Sequence, residues 1–392
     1  MKKKQFGIYI HIPFCMSKCS YCSFISKCAS KEEIHKYFNA LNLQIELESK
    51  KFKNKIVTSI YFGGGTPSFV NHEHIVECLN TIKKHYKLDK YVEITIECNP
   101  CSTTTEKLIA YKNAGINRIS FGVQSLNNNC LKIIGRKHNH AQAIKAVKLA
   151  QKCDFANISC DLLIGIPNQT SQMLLNDINL LVKLGVNHIS AYMLMLEENT
   201  KLYEQVVINK TLGVADDDLC IDMYNKAYSI LQSLGFNRYE ISNFAKSGFE
   251  CKHNINYWEM GEYVGFGLAA HSFYNNTRIS GFNTFEDYYD YINCLGKQDS
   301  QVNEHITCLL KENIENLTTK QLIEETLMLG LRQQKGVSIK ALNNLGYNIL
   351  QLKQTLLNNL IENNVIEIKN NYIRIKENMF GACNQIILNL LP

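Results

Sequence analysis

The sequence predicts an α/β fold: a partial (β/α)6 barrel over residues 1–235, a mixed connecting segment over 236–310, and a small helical, winged-helix-like domain over 311–392. Three observations carry this. Strand-like and helix-like segments alternate six times before residue 235, and repeated β/α units give a parallel sheet with right-handed crossovers. The residues able to carry chemistry fall just beyond the strand-like runs, where α/β barrels bind their ligands. The last segment then changes pattern to helix, helix, helix, hairpin. Six units are fewer than the eight of a closed barrel, so the barrel is expected to be open.

Each element has a local reason. Phe6–Ile12 reads as the first strand, and the spacing of Ile34, Tyr37, Phe38, Leu41, Ile45 and Leu47 as a helix. Strand Ile56–Phe62 precedes a helix over His72–Tyr86, and strand Val92–Glu97 a helix near Thr104–Asn113. Strand Asn117–Gly122 leads to helical segments at Asn127–Ile134 and Ala141–Lys152, and strand Asn157–Leu163 to Ser171–Leu184. Strand His188–Met193 is followed, after an excursion, by Asp217–Leu234. From Phe236 to about Ser300 the chain is less regular and rich in aromatic residues, Asn and Gly. Lys320–Arg332, Ser338–Leu345 and Ile349–Asn363 then look helical. Val365–Ile368 and Tyr372–Ile375 meet at Lys369-Asn370-Asn371, a hairpin-turn composition.

Composition limits the function classes. At roughly 150 residues per domain, 392 residues make two or three domains. A hydrophobic fraction of 45%, with 5 Pro and 21 Gly, excludes a disordered, collagen-like or low-complexity chain. The net charge of +6 is small for this length and demands no nucleic-acid partner. A winged helix often reads DNA but is also a common appendage, and without a basic face none is expected to bind here. The 15 cysteines are odd in number and scattered, unlike a secreted disulfide scaffold. The basic Met1–Lys4 and partly apolar Gln5–Ile12 imitate a signal peptide, but His11 and Pro13 break the run and no cleavage site follows. No stretch approaches the roughly 18 apolar residues of a membrane span. The expectation is a reduced, soluble, cytoplasmic protein whose cysteines are mostly small buried hydrophobes.

Three of those cysteines are different. Cys15, Cys19 and Cys22 stand at C-x3-C-x2-C spacing where the first strand ends, with Tyr21 before the third. Iron–sulfur cubes are normally held by four thiolates, so three leave one iron without a protein ligand. Structural zinc wants a closed set of four ligands, and Cys28 has the wrong spacing for a tight loop. The motif resembles the radical S-adenosylmethionine (radical SAM) enzymes. The resemblance implies that the three thiolates hold a [4Fe–4S] cluster. It also implies that the amino and carboxylate groups of SAM chelate the fourth iron, and that an electron from the cluster yields a 5′-deoxyadenosyl radical.

Other strand ends extend the resemblance. Gly63-Gly64-Gly65-Thr66-Pro67 resembles the segment that binds the SAM amino group, where glycine lets backbone approach a ligand; tight-turn packing is the plainer alternative. The third strand ends in Glu97-Cys98-Asn99-Pro100, and a buried acid there suits ribose hydroxyls or an ammonium group. The fourth ends in Gly122-Val123-Gln124-Ser125; Arg136 follows as a carboxylate partner, and Asp161 lies on the fifth. The resemblance thus implies SAM contacts at Tyr9, Gly65, Thr66, Glu97, Gln124, Arg136 and Asp161.

The wording Y-I-H-I-P-F-C, G-G-G-T-P and G-V-Q-S with Gly135-Arg136 looks like the oxygen-independent coproporphyrinogen III oxidase branch, over essentially the whole chain. The decarboxylating oxidases of that branch carry a further Cys two residues after the third. Here Phe24 stands there, as in the relatives called HemW, which are described as haem chaperones. His253-Asn254-Ile255-Asn256-Tyr257-Trp258 resembles the H-N-x-x-Y-W signature of that group and contains the only Trp. Imidazole is a common haem ligand, and Tyr257 and Trp258 offer flat area to a porphyrin. His253 is therefore the haem-ligand candidate, with Cys251 a second soft donor; positioning SAM or bracing the domain interface are the alternatives for His253. The expected function is a haem chaperone that binds the cluster, SAM and haem and passes haem to acceptor haem proteins, served by a reductant such as flavodoxin or ferredoxin. A homodimer is compatible with the sequence. The competing readings are oxidative decarboxylation of coproporphyrinogen III, which Phe24 disfavours, and RNA modification, which the charge balance disfavours.

Overall fold

The computed structural model describes residues 5–213, 215–296 and 312–392. The basic Met1–Lys4 and the expected boundary at 310/311 lie outside them. Six strands form the parallel heart of the molecule: β1 (Phe6–Ile12), β2 (Ile56–Gly64), β3 (Lys87–Cys98), β4 (Arg118–Gln124), β5 (Asn157–Ile164) and β6 (His188–Met193). They are ordered as they occur in the chain, all parallel, with helices in every crossover. The expected strands and helices lie within a few residues of these bounds, β3 starting earlier than expected.

Alternation along the strands explains the layering. One set of positions is apolar: Ile8, Ile10 and Ile12 on β1, Ile60 and Phe62 on β2, Ile94 and Ile96 on β3, Ile119, Phe121 and Val123 on β4. These are buried in one cluster with helix residues such as Phe38, Leu41, Leu79 and Val147. Burying each such side chain contributes about 1.5–3 kcal/mol. The other set is polar or glycine: Tyr61, Glu97, Arg118, Ser120, Gly122, Asp161 and Ser190 all face the lumen. Register keeps the two sets apart. Phe62 pairs with Ile96, Ile96 with Ile119, and Phe121 with Cys160, while Glu97 pairs with Ser120 and Asp161 with Ser190.

The segment after residue 235 is more ordered than its composition suggests, and it extends the sheet at both edges. Two short strands, β7 (Asn237–Arg238) and β8 (Asn243–Ala245), add antiparallel to the β6 edge. At the other edge β9 (Glu262–Phe266) runs parallel to β1, and β10 (Ser272–Tyr274), β11 (Thr277–Ile279) and β12 (Ile314–Asn316) continue outward. Both open edges of the six-stranded sheet are thereby paired, which removes exposed ladder groups. Between them the helix Lys252–Trp258 lies on the inner face of β1 and β2.

The C-terminal unit has its own core around Leu327, Leu331, Leu342, Leu357, Ile373 and Ile387. Helices Thr319–Leu331, Ile339–Asn344 and Gln354–Glu362 pack with a small sheet of β13 (Val337–Ser338), β14 (Ile366–Lys369) and β15 (Tyr372–Ile375). The helix expected over Ile349–Asn363 breaks at Lys353. The turn at Asn370 and Asn371 has both residues at positive φ, 52° and 65°, as a two-residue hairpin requires. The unit docks on the barrel where the Arg238 guanidinium covers the Phe380 ring and Gln333 donates to the Trp258 carbonyl at 2.7 Å. Among the described residues no helix is long and apolar enough to cross a membrane.

Candidate functional site

The cysteine loop leaves β1 and is pinned on several sides by backbone hydrogen bonds. Cys15 N–H donates to Lys27 O and Lys27 N–H to Pro13 O, both at 3.0 Å, folding the loop back on itself. Gly65 and Thr66 donate to Ile12 and Phe14 carbonyls at 2.9 Å, tying the loop to the end of β2. Ser20 N–H reaches Ile134 O at 3.1 Å, tying it to the loop after β4. Buried His11 joins the two ends, with Nδ1 3.1 Å from Tyr9 OH and Nε2 3.2 Å from Ile25 O.

This packing accounts for the glycines. Gly64 has φ of +107°, and a Cβ on it would stand 2.6 Å from the His11 ring; one on Gly65 would stand 2.9 Å from the Ile12 and Phe14 oxygens. Both positions need glycine so that two loops can meet, the plainer alternative for this motif.

These contacts bring one cavity, of about 440 Å³, to the carboxyl ends of the strands. Cys15, Cys19, Cys22, Gly65, Thr66, Glu97, Gln124, Arg136 and Asp161 all line it. Of the expected SAM contacts only Tyr9 is not part of this lining; its ring is stacked 6.3 Å from that of Tyr61, which is. Position in the lining is what the structure adds. The individual roles remain those implied by the resemblance.

The cavity's electrostatics follow from burial. Glu97 accepts a hydrogen bond from Tyr61 OH at 2.9 Å, yet burial, with the Asp161 charge second, pushes its carboxyl up to about 7. Asp161 is also raised by burial, opposed by Ser190, Arg118 and the Ser120 hydroxyl 3.4 Å away. A cationic ligand group would reverse both shifts. Arg136 donates to the Gly122 carbonyl and, through Nη1, to Cys19 Sγ at 3.5 Å. Gln124 reaches the cavity from a left-handed backbone, φ 66°, where β4 loses register with β5. Burial holds the Cys22 thiol above its usual range, so metal binding there displaces a proton.

The donor set fits a polynuclear cluster better than a single ion. Among the described residues no three His, Cys, Asp or Glu side chains converge closely enough to chelate one metal. Three free, half-buried thiols around one cavity suit a cube whose irons hold the sulfurs apart. Cys28 is exposed, donates to Met16 O at 3.2 Å, and is not in the lining.

His253 is placed differently from a haem ligand. It is 1% exposed, and both ring nitrogens are taken: Nδ1 lies 2.9 Å from Ser59 Oγ and Nε2 2.8 Å from Tyr257 OH. Burial, then Arg118, lowers its pKa to about 3, so it is a neutral brace between β2 and its own helix. Iron could bind only after one of those bonds broke. Cys251 is fully buried, with its thiol pushed up to about 12 by burial and directed at Glu93. Neither Tyr257 nor Trp258 lines the cavity; Asn254 does.

Sequence reasoning missed Glu93 and Arg118. Glu93 accepts from the N–H groups of Lys252 and His253 at 3.1 and 3.2 Å and so caps the helix that fills the lower lumen. Arg118 lines the cavity floor. Alternation was the available signal: both are charged residues in phase with the polar, inward positions and next to apolar ones, Val92 and Ile94 or Ile119.

Comparison with known proteins agrees with this geometry. A model of the radical SAM superfamily matches residues 9–181, and one of the HemN C-terminal domain matches 317–378. The chain is 39% identical to the haem chaperone HemW of Haemophilus influenzae, over 69% of this chain and 70% of the relative. It is 34% identical to the haem chaperone HemW of Bacillus subtilis, over 85% and 84%. Its fold is similar to that of coproporphyrinogen III oxidase (HemN) from Escherichia coli, described as a radical SAM enzyme. The TM-score is 0.81 at 17% identity, covering 99% of this chain and 90% of that one, a likeness of fold.

Proposed function

Since the chain belongs to the HemW family of radical SAM proteins, we propose that it is a haem chaperone: it holds a [4Fe–4S] cluster and SAM in the barrel cavity, binds haem, and passes haem to acceptor haem proteins. The observation that carries this reading is the convergence of three free thiols with buried acids and guanidinium groups on a single cavity. Cys15, Cys19 and Cys22 would hold the cluster. Glu97 and Asp161 would face cationic parts of SAM, Arg136 its carboxylate, and Thr66 and Gln124 its remaining polar atoms. When bound, these cofactors supply one-electron chemistry; the chain orients them and limits water around them.

The haem-facing part of the proposal rests on the mouth of the cavity. Met16 and Phe24 are 53% and 65% exposed and both belong to its wall. Exposed flat and polarizable apolar area at a cavity mouth suits a porphyrin face. Phe24 occupies the position where the decarboxylating branch is expected to have a further Cys. The reductant fits the flavodoxin or ferredoxin class.

The test is an anaerobic assay of reconstituted protein with two readouts. Transfer of haem to an apo-haem protein, with no carbon dioxide released from coproporphyrinogen III, is the expected result. Sustained carbon dioxide release would replace this reading with the decarboxylase, which the fold likeness to HemN keeps as the second reading.

A further inference from the structure

Arg118 opens β4, its backbone paired with Thr95 and Asn157, and its side chain reaches the cavity floor beside Tyr61, Glu97 and Asp161. It is 2% exposed. Among the described residues its guanidinium makes no hydrogen bond and no ion pair within 4 Å, and Nε is buried without a hydrogen-bond partner; Glu93 acts on it only through its charge, at longer range. A fully buried guanidinium without a protein partner is rare, because a buried charge normally finds a hydrogen-bonded counter-charge. The neighbouring groups are otherwise engaged. Glu93 is spent on the head of the helix Lys252–Trp258, and the Glu97 carboxyl already accepts from Tyr61. Arg136, the other cavity guanidinium, contrasts with it, since its two outer nitrogens bond to Gly122 O and Cys19 Sγ near the cysteine loop. Of the two cavity guanidinium groups, one is therefore hydrogen-bonded at the thiol end and one, at the floor, is not; Lys18 and Lys137 also line the cavity.

We propose that Arg118 is the receptor for a carboxylate of the ligand that enters the barrel, gripping it through the guanidinium face turned to the cavity. A guanidinium presents paired N–H donors that match a carboxylate in bidentate fashion. The proposal deepens the chaperone reading and rests on it, because that reading supplies two carboxylate-bearing ligands: haem through its propionates, and SAM through its aminoacyl group, whose carboxylate Arg118 would then share with Arg136.

The experiment separates these sources. Affinities of the anaerobically reconstituted protein are measured for SAM and decarboxylated SAM, and for haem and haem dimethyl ester. Wild type is compared with Arg118→Gln and Arg118→Lys, after circular dichroism and cluster absorption have verified folding and loading. In one of the two pairs, wild type is expected to prefer the carboxylate form by about tenfold or more, the scale of a charge-assisted hydrogen bond. That preference should collapse in Arg118→Gln and shrink in Arg118→Lys, which keeps the charge without the fork. The pair that responds identifies the ligand. Unchanged preferences in both variants would overturn the assignment to Arg118 alone. If Arg118→Gln does not fold, an unchanged preference in Arg118→Lys has the same force. Failure of wild type to bind either SAM or haem would overturn the chaperone reading and this assignment with it.

Discussion

Glu97 and Asp161 are buried in one cavity, each held above its usual range first by burial, and the consequence is a pH dependence. A carboxyl raised to about 7 in the folded protein, from about 4.3 when unfolded, makes its most favourable contribution to stability below the unfolded value. That contribution is lost as pH rises through about 7. Binding a cationic ligand next to Glu97 requires the ionised form, so SAM affinity should increase about tenfold between pH 6 and pH 8. Glu97→Gln should bind more weakly and lose most of that slope; equal slopes in titrations of the two proteins would remove Glu97 from the SAM site. The thiols give a sharper expectation. Single Ala substitutions at Cys15, Cys19 or Cys22 should each abolish the visible absorption of the reconstituted cluster. Cys28→Ala, outside the cavity lining, should retain it. Loss of the cluster in Cys28→Ala would mean that the ligand set is wrong.

The helix Lys252–Trp258 shows how a short element is made stable by something distant. Its seven residues have no side-chain cap of their own, and isolated helices of that length do not persist in water. Glu93, 160 positions earlier, supplies the cap from β3, while Ser59 and Tyr257 fix His253. Glu93→Gln should cost about 2 kcal/mol in chemical denaturation, since it weakens two hydrogen bonds to a charged acceptor in a buried place. An unchanged midpoint would show that the plug is held by packing alone. Such long-range supports are also why this segment was hard to read. Its motif is plain as a string, but one partner of His253 comes from β2 and the cap of its helix from β3. The histidine offered by sequence as an iron ligand has both ring nitrogens engaged within the core. The short strands at the two sheet edges were illegible for a related reason: runs of two to five residues carry too little alternation to register.

At the scale of the whole molecule, the barrel was legible because its strands alternate. Arg118-Ile119-Ser120-Phe121-Gly122-Val123-Gln124 places apolar residues against the helices and leaves polar ones for the lumen. The thiol loop was legible because three Cys at fixed spacing ended the first strand. Reading the strings together placed all but Tyr9 of the expected cluster and SAM residues in one cavity lining. The proposed haem surface was less legible, because a porphyrin needs area rather than a motif, and exposed area at Met16 and Phe24 exists only once the loop has folded. We propose this cavity-bearing barrel as a haem carrier. Titrating haem into the anaerobically reconstituted protein, followed in the Soret region, tests it most directly. A saturable spectral change at one haem per chain, weakened in Phe24→Ala and largely kept in His253→Ala when that variant folds, is the expected result. A Soret signal that only grows in proportion to added haem, without saturation, would contradict it.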